Sequence, residues 1–426
     1  MEFNTMQEEH NKINRRNFLK TIGAAGLGSV FAGCKGKEEK EPDAADPNDP
    51  GKTQMPKLAQ VPMRKLGKTG VEVPCLCLGG NYSLLERQII LEKALEGGIN
   101  CWDTAHNYAG GNSELGIGRY LAKNPQNRNK LFIISKASFA GTVADVENRL
   151  QTSLKRMNTN YIDLYYGVHI MSNPAQLTEE LKQWAENAKR RKLIRFFGFS
   201  THSNTAQCLS AAAKLDWIDA ITTRYSFRSM QDAEMQDAVE ACHKAGIGLI
   251  AIKTLGLGQR SPRGGSRAEE EKKLLRHFVK QGFTEGQAKI KFVLEDKRFS
   301  SACVGMENIS LLYSNIAAAL DKTELTQTDI EVFKEYAAAT CSGYCAGCAY
   351  ICDSALPDTP YLSDIMRYLM YYNSYGEQER ARQLFARIPG SVKNKLLGLD
   401  YKLAEARCPQ HLPIASLVAE AVSKLA

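Results

Sequence analysis

Four residues share one chemical capacity. Asp103 and Tyr108 lie in DTAHNY, Lys136 in IISKAS and His169 in YYGVH. A phenol, with an ordinary pKa of about 10, is a poor acid–base group at neutral pH. A nearby ammonium favours its ionised form, and a carboxylate beside that ammonium keeps it charged and in place. An imidazole can orient a carbonyl oxygen or relay its proton. Together the four can give a proton to a carbonyl while a hydride arrives from a cofactor. Singly, each has an ordinary structural reading: a helix cap, rim packing, a solvated strand end, a satisfied core histidine. The combination argues for chemistry. A second set is made of thiols. CSGYCAGCAYIC carries Cys341, Cys345, Cys348 and Cys352, and Cys408 follows in RCPQHLPI. Such a set suits disulfides, zinc or an iron–sulfur cluster. Cys75, Cys77, Cys101, Cys208, Cys242 and Cys303 are scattered through apolar or helical contexts. They read as buried, inert small hydrophobes.

The elements that must position the first set recur along residues 62–306. Eight short apolar runs are VPCLCLGG, INCWDTA, LFIISKAS, YIDLYYGVH, IRFFGFST, AITTRYS, GLIAIKTL and SACVGM. Segments of helical periodicity, such as ADVENRLQTSLKRMN, separate them. Eight strands alternating with helices predict an α/β fold, a (β/α)8 TIM barrel. A doubly wound sheet would have a glycine-rich first turn, which is missing. In a barrel, chemistry sits where strands end and βα loops begin. The second strand ends in Asp103, the third in Lys136 and the fourth in His169, so the set converges on one rim. The barrel is expected over 60–335 and a small, mostly helical, cysteine-containing domain over 336–426.

The chain has 426 residues, 43% apolar and 24% charged, enough for a sizeable core without disulfide staples. Its net charge of +8 is mild, and no long Lys/Arg block is present, so nucleic acid is not an expected partner. Residues 14–34, NRRNFLKTIGAAGLGSVFAGC, have a charged start, an apolar stretch and a small-residue end. The stretch is too short and weak to span a membrane and reads as a signal peptide over 1–34. Arg15-Arg16 followed by NFLK resembles a twin-arginine signal, and FAGC resembles a lipoprotein box with Cys34 as the lipid-bearing residue. Residues 35–59 are charged and proline-rich, a disordered tether. The expected location is periplasmic or otherwise extracytoplasmic, anchored to the membrane through Cys34.

The region from about 60 to 320 resembles the aldo-keto reductases. RKLGKTGVEVPCLCLGG resembles that family's opening hairpin and first strand. WDTAHNYAGGNSELGIGRYL resembles its Asp–Tyr segment, and IISKAS and YYGVHIM resemble its Lys and His segments. The resemblance implies a TIM barrel, NADP or NAD across the rim, and a small carbonyl or sugar-like substrate. It implies Asp103, Tyr108, Lys136 and His169 as the catalytic set. It places Ser200, Thr222, Ile252, Lys253 and Asn315 at the cofactor. Thr222 stands where the family often has Gln, and Ile252 where it often has an aromatic residue. Gly305 and Leu311 replace the cations that usually grip the 2′-phosphate, which weakens the case for NADP over NAD. The alternative to an oxidoreductase is a catalytically silent barrel acting as a binding or electron-transfer module.

The tail resembles ferredoxin-like extensions that some members of this family carry. Bacterial ferredoxins use C-x2-C-x2-C-x3-C-P, and here the first gap has one extra residue. That resemblance assigns one [4Fe–4S] cluster to Cys341, Cys345, Cys348 and Cys408, with Cys352 a remnant ligand. The exchange of Cys352 for Cys341 is the close variant. Zinc is the alternative metal, and disulfides rank below it because five cysteines leave one unpaired. A twin-arginine route exports folded proteins, so a cluster can be loaded before export. A structural role for it is favoured over electron transfer, because no flavin motif is present to split a hydride pair.

Overall fold

The computed structural model describes residues 59–426 except 139, 257–272, 275, 340–344, 346, 348, 358, 360, 375–376 and 409. Arg15, Arg16, Cys34, Cys341 and Cys348 therefore lie outside the described residues. The structure begins with a short antiparallel hairpin, β1 (Met63–Lys65) and β2 (Glu72–Pro74). Eight further strands follow. They are β3 (Leu76–Gly79), β4 (Cys101–Asp103), β5 (Phe132–Lys136), β6 (Ile162–Met171), β7 (Ile194–Thr201), β8 (Ala220–Arg224), β9 (Gly248–Ile252) and β10 (Phe299–Gly305). They pair in parallel in chain order, and β10 returns to β3 to close the barrel. The expected (β/α)8 barrel is thus present, with a helical region after it. One predicted strand divides. VPCLCLGG gives Val73 and Pro74 to the hairpin and starts the barrel only at Leu76.

Period-two alternation fills the bore. Cys77, Cys101, Phe132, Ile134, Leu164, Tyr166, Ala220, Ile250 and Cys303 form one buried cluster. Leu66 and Val73 of the hairpin join it from below. The Lys68 amide donates to the Gly246 carbonyl at 2.6 Å, and Gly67 adopts φ +51°. A side chain at Gly67 would run into the Gly246 backbone. The hairpin therefore stoppers the N-terminal mouth, and the ends of the strands open at the other.

Within Gln60–Ala426, which forms one compact unit, a helical tail follows the barrel. Its centre is the helix Leu362–Ser374, which packs on the helices Gln378–Ala386 and Ile414–Leu425. Leu362, Ile365, Met366, Leu369 and Met370 recur at helical spacing and are buried. Among the described residues, polar contacts tie the tail to the barrel rim. Ser203 Oγ donates to Asp364 Oδ1 at 2.8 Å. The Asn204 amide donates to the Gly347 carbonyl at 2.6 Å. Lys253 Nζ donates to Glu377 Oε1 at 2.7 Å. Among the described residues, no helix is long and apolar enough to cross a membrane.

Candidate active site

The strand ends bring Asp103, Lys136 and His169 together, and the turn after β4 adds Tyr108. Along β4, Cys101 lies in the bore, so Asp103 two residues on points the same way; Phe132 and Ile134 do the same for Lys136. Lys136 Nζ donates to Asp103 Oδ1 at 2.6 Å and to the Thr104 carbonyl at 2.7 Å. It also lies 4.7 Å from the centre of the Tyr108 ring. The Tyr108 and His169 rings meet edge to face at 5.6 Å. His169 arrives by a different route. The β6–β7 register shifts between Tyr166 and Val168, a bulge at Gly167. A Cβ on Gly167 would sit 2.8 Å from the Phe197 ring, so only glycine fits there. The bulge reverses the alternation and aims His169 at Tyr108.

Burial governs the protonation states. It pushes the Tyr108 phenol up to about 12; Lys136 opposes this but is outweighed. The sequence reading had the ammonium favouring phenolate. In the dry site the desolvation of an anion wins, and Tyr108 keeps its proton. Burial works against the Lys136 ammonium as well, but Asp103 and Tyr108 overcome it and hold Lys136 above the ordinary lysine value. His169 is depressed well below its usual range, first by burial and then by Arg380 and Lys136, so it is a neutral imidazole.

Three supporting residues escaped the sequence reading. Ser138 Oγ donates to Asn107 Oδ1 at 2.6 Å and lies 2.7 Å from His169 Nδ1. With its one proton given to Asn107, Ser138 accepts from His169 Nδ1–H. His169 Nε2 then carries a lone pair, buried and without a partner. Cys303, on β10, lies close enough to Asp103 for the two to influence each other's protonation. Ser138 lies two residues after Lys136 and Asn107 one before Tyr108, but nothing in that spacing signals a relay.

The expected cofactor residues line the neighbouring strand ends. Ser200 and Thr222 are paired in register on β7 and β8, and Ile252 ends β9. Ser200 Oγ donates to the His169 carbonyl, and Thr222 Oγ1 shares a 2.7 Å hydrogen bond with Tyr166. Asn315 is buried and donates to the Gly305 carbonyl at 3.3 Å. Lys253, in a left-handed turn at φ +56°, is engaged by Glu377 of the tail. Ser200, Thr222 and Ile252 thus lie on the strand ends that neighbour His169, whereas Asn315 lies beside Gly305 at the end of β10. At the adenosine end, Gly305 has open space before it and Leu311 is 43% exposed. Neither offers a cation to a 2′-phosphate.

The thiols are only partly gathered. Cys345, Cys352 and Cys408 are buried within one apolar cluster of the tail. Cys341 and Cys348 lie outside the described residues. Among the described residues no group of three His, Cys, Asp or Glu side chains is placed to hold a metal ion. Of the expected four-thiolate set, only Cys345 and Cys408 lie among the described residues. The six scattered cysteines are all buried, as expected.

The aldo/keto reductase family profile matches residues 78–338, well over half of the chain. The chain belongs to the aldo/keto reductase family. It is 26% identical over 255 residues to the aldo-keto reductase AMT2 of Alternaria alternata, covering 49% of this chain and 69% of that protein. The aldo-keto reductase AFTS1 of the same organism is 24% identical over 248 residues, covering 48% and 67%. Among solved structures, the thermostable aldo-keto reductase Tm1743 in complex with the inhibitor epalrestat superposes with TM-score 0.54 at 25% identity, covering 65% of this chain and 99% of that one. The aldo-keto reductase AKR11C1 from Bacillus halodurans, in its holo form, gives 0.53 at 20% identity, over 65% of this chain and 96% of that one, and shares the fold. Membership implies an oxidoreductase of the NADP-dependent kind.

The raised Tyr108 value generates a pH prediction. A phenol held to about 12 keeps its proton as pH passes the ordinary tyrosine value of about 10. The kcat for carbonyl reduction, measured against pH, should not fall through 10 from loss of this acid. A reduction limb that titrates near 9 would show that burial does not control Tyr108.

Proposed function

We propose that this protein is an exported aldo/keto reductase that reduces a small carbonyl compound, or oxidises the matching alcohol, with Tyr108 as the proton-transferring group. The observation that carries the reading is the buried Lys136–Asp103 pair beneath a protonated Tyr108. A bound nicotinamide nucleotide, NADP or NAD, supplies or accepts the hydride. Tyr108 gives its proton to the carbonyl oxygen, and Lys136 stabilises the phenolate left behind until water restores the proton. Asp103 keeps Lys136 charged and aimed. His169, neutral and hydrogen-bonded through Nδ1, offers Nε2 to the hydroxyl of the alcohol form. Ser200, Thr222, Ile252, Lys253 and Asn315 are the candidate nucleotide contacts. Tyr108→Phe should lower turnover by about 1,000-fold, within the usual range for a lost acid–base group. Nucleotide binding, followed by fluorescence titration, should be nearly unchanged. Unaltered turnover would remove Tyr108 from the mechanism.

In the same reading the tail thiols hold one [4Fe–4S] cluster through Cys341, Cys345, Cys348 and Cys408, with zinc as the alternative. The support is the burial of Cys345, Cys352 and Cys408 in one cluster, although they come from segments about sixty residues apart. Anaerobic purification followed by metal analysis should give about four irons per chain, lost in Cys408→Ser. Zinc would refute the cluster and spare the geometry; full iron in Cys408→Ser would refute both.

Export by the twin-arginine route and lipid attachment at Cys34 rest on residues 14–34. Exchange of Arg15 and Arg16 for Lys should trap the precursor in the cytoplasm, as read by fractionation. Normal extracytoplasmic accumulation would refute that route, and an unmodified N-terminal peptide mass would refute the lipid.

A further inference from the structure

The tail places a charged side chain over the catalytic phenol. Arg380, on the helix Gln378–Ala386, lies with its guanidinium carbon 5.8 Å from the centre of the Tyr108 ring and 5.1 Å from that of Tyr371. Only 11% of its side chain is exposed. Nη1 is satisfied, donating to Glu377 Oε2 at 2.6 Å. Nε and Nη2 are buried and have no hydrogen-bond partner among the described residues. Those two atoms form one edge of the planar guanidinium, and their N–H bonds run nearly parallel. That edge matches the two oxygens of a carboxylate. A structural arginine has its donors satisfied within the fold, because charged donors left buried and unpaired are strongly unfavourable. Here the half that binds Glu377 is structural and the other half is unused.

The surrounding charge favours the same ligand. Lys136, Lys253 and Arg380 stand against Asp103 and Glu377, three cations facing two carboxylates. His169 and His202, beside Arg380, are kept neutral chiefly by burial and add no charge. One positive charge is left over. A carboxylate balances it; a phosphate dianion would overshoot. Lys136 is enclosed by Asp103 and the Thr104 carbonyl, and Lys253 is engaged by Glu377. The open donors belong to Arg380.

We infer that Arg380 anchors the carboxylate of the substrate through its Nε–Nη2 edge, so that the protein acts on short oxo acids or the matching hydroxy acids. The inference rests on the oxidoreductase reading above and names its substrate class. With the carboxylate on Arg380 and the carbonyl oxygen at Tyr108, only a few bonds separate the two groups. Arg380 comes from the helical tail, so the tail completes the substrate site of the barrel.

The test uses the full chain, purified without oxygen, and two pairs of substrates: pyruvate with pyruvamide, and levulinate with its amide. Each pair keeps the carbonyl and removes the charge. The wild type should favour an acid over its amide in kcat/KM. Arg380→Gln should lower kcat/KM for the acid by roughly 100-fold, the scale of a lost pair of charge-assisted hydrogen bonds. Its kcat/KM for the amide, which can accept only one of the two hydrogen bonds, should fall by far less than that for the acid, and its KM for the nucleotide should stay within about threefold, which shows that the fold survives. Arg380→Lys, with the charge but without the fork, should fall between. Equal use of acid and amide by the wild type would overturn the assignment. So would a loss in Arg380→Gln shared equally by acid and amide, or one confined to the nucleotide KM, which would make Arg380 a cofactor residue. A thermal-shift titration with propionate and propionamide reads the site without turnover. Stabilisation by propionate alone, lost in Arg380→Gln, supports the anion site even in a protein that reduces nothing. In that case the oxidoreductase reading fails and the binding site stands. No response to propionate, together with no preference between acid and amide, rejects the site.

Discussion

The buried pair between Lys136 and Asp103 is the constraint on which the site depends. Removing two opposite charges from water is costly, and mutual attraction compensates only when the remaining donors are also satisfied. Lys136 meets that condition with Asp103 at 2.6 Å and the Thr104 carbonyl at 2.7 Å. Removing one partner of such a pair leaves an uncompensated charge at a cost of about 3–5 kcal/mol. The two residues must therefore stay opposed, and adjacent parallel strands hold them there. Asp103 pairs with Ile134 across β4 and β5, and Lys136 is the next residue on the same face of β5. The same ammonium lies under the Tyr108 ring. One ion pair thus sets the place of the Tyr108 ring and the charge beneath it.

The turn carrying Tyr108 has its own supports, and each answers a geometric demand. Ala109, Gly110 and Gly111 all have positive φ, which lets the chain reverse within three residues. A Cβ on Gly111 would lie 2.8 Å from the Arg156 guanidinium carbon, so glycine also admits that arginine. Arg156 donates to the His106 carbonyl at 2.7 Å and to Glu114 Oε2 at 3.2 Å. Glu114 in turn accepts from Ser135 Oγ at 2.7 Å, one residue before Lys136. The loop, the helix Asn112–Lys123 and β5 are therefore tied through a single buried carboxylate. This explains the polar, glycine-rich wording of NYAGGNSELG, in which Tyr108, Gly111, Ser113, Glu114 and Gly116 are buried.

What could be read from the chain follows from periodicity. Alternation places Asp103 and Lys136 because β4 and β5 are regular up to their last residue. It fails at His169. Strict alternation from Leu164 and Tyr166 would aim Val168 at the bore and His169 away from it. The shift at Gly167 corrects this, and a lone glycine in YYGVH does not announce a bulge. The sign of the Tyr108 shift was hidden for another reason. Neighbouring charge can be guessed from residue types, whereas desolvation depends on how completely the loops cover the ring. Ser138 and Asn107 escaped because a relay is a matter of side-chain direction. Arg380 and Glu377 escaped because more than two hundred residues separate them from His169, and no period or motif relates a tail helix to a strand end.

That last omission changes how the two parts of the chain relate. The tail was read as a segment with its own thiol chemistry, but the thiol region and the catalytic rim share one path of contacts. Arg367 donates through Nη2 to the Cys345 carbonyl at 2.8 Å, within the cluster that holds Cys352 and Cys408. Arg367 stands on the same helix as Asp364, which accepts from Ser203 on the barrel. That helix leads into Glu377, which binds Lys253 after β9 and Arg380 above Tyr108. A tail loosened at its thiols cannot hold Arg380 in place, because the helix bearing it packs chiefly on Leu362–Ser374. The thiol region therefore reaches the site mechanically, by fixing a side chain. The tail and the barrel stand as parts of one device, the first holding in place a donor that the second lacks on its own strands.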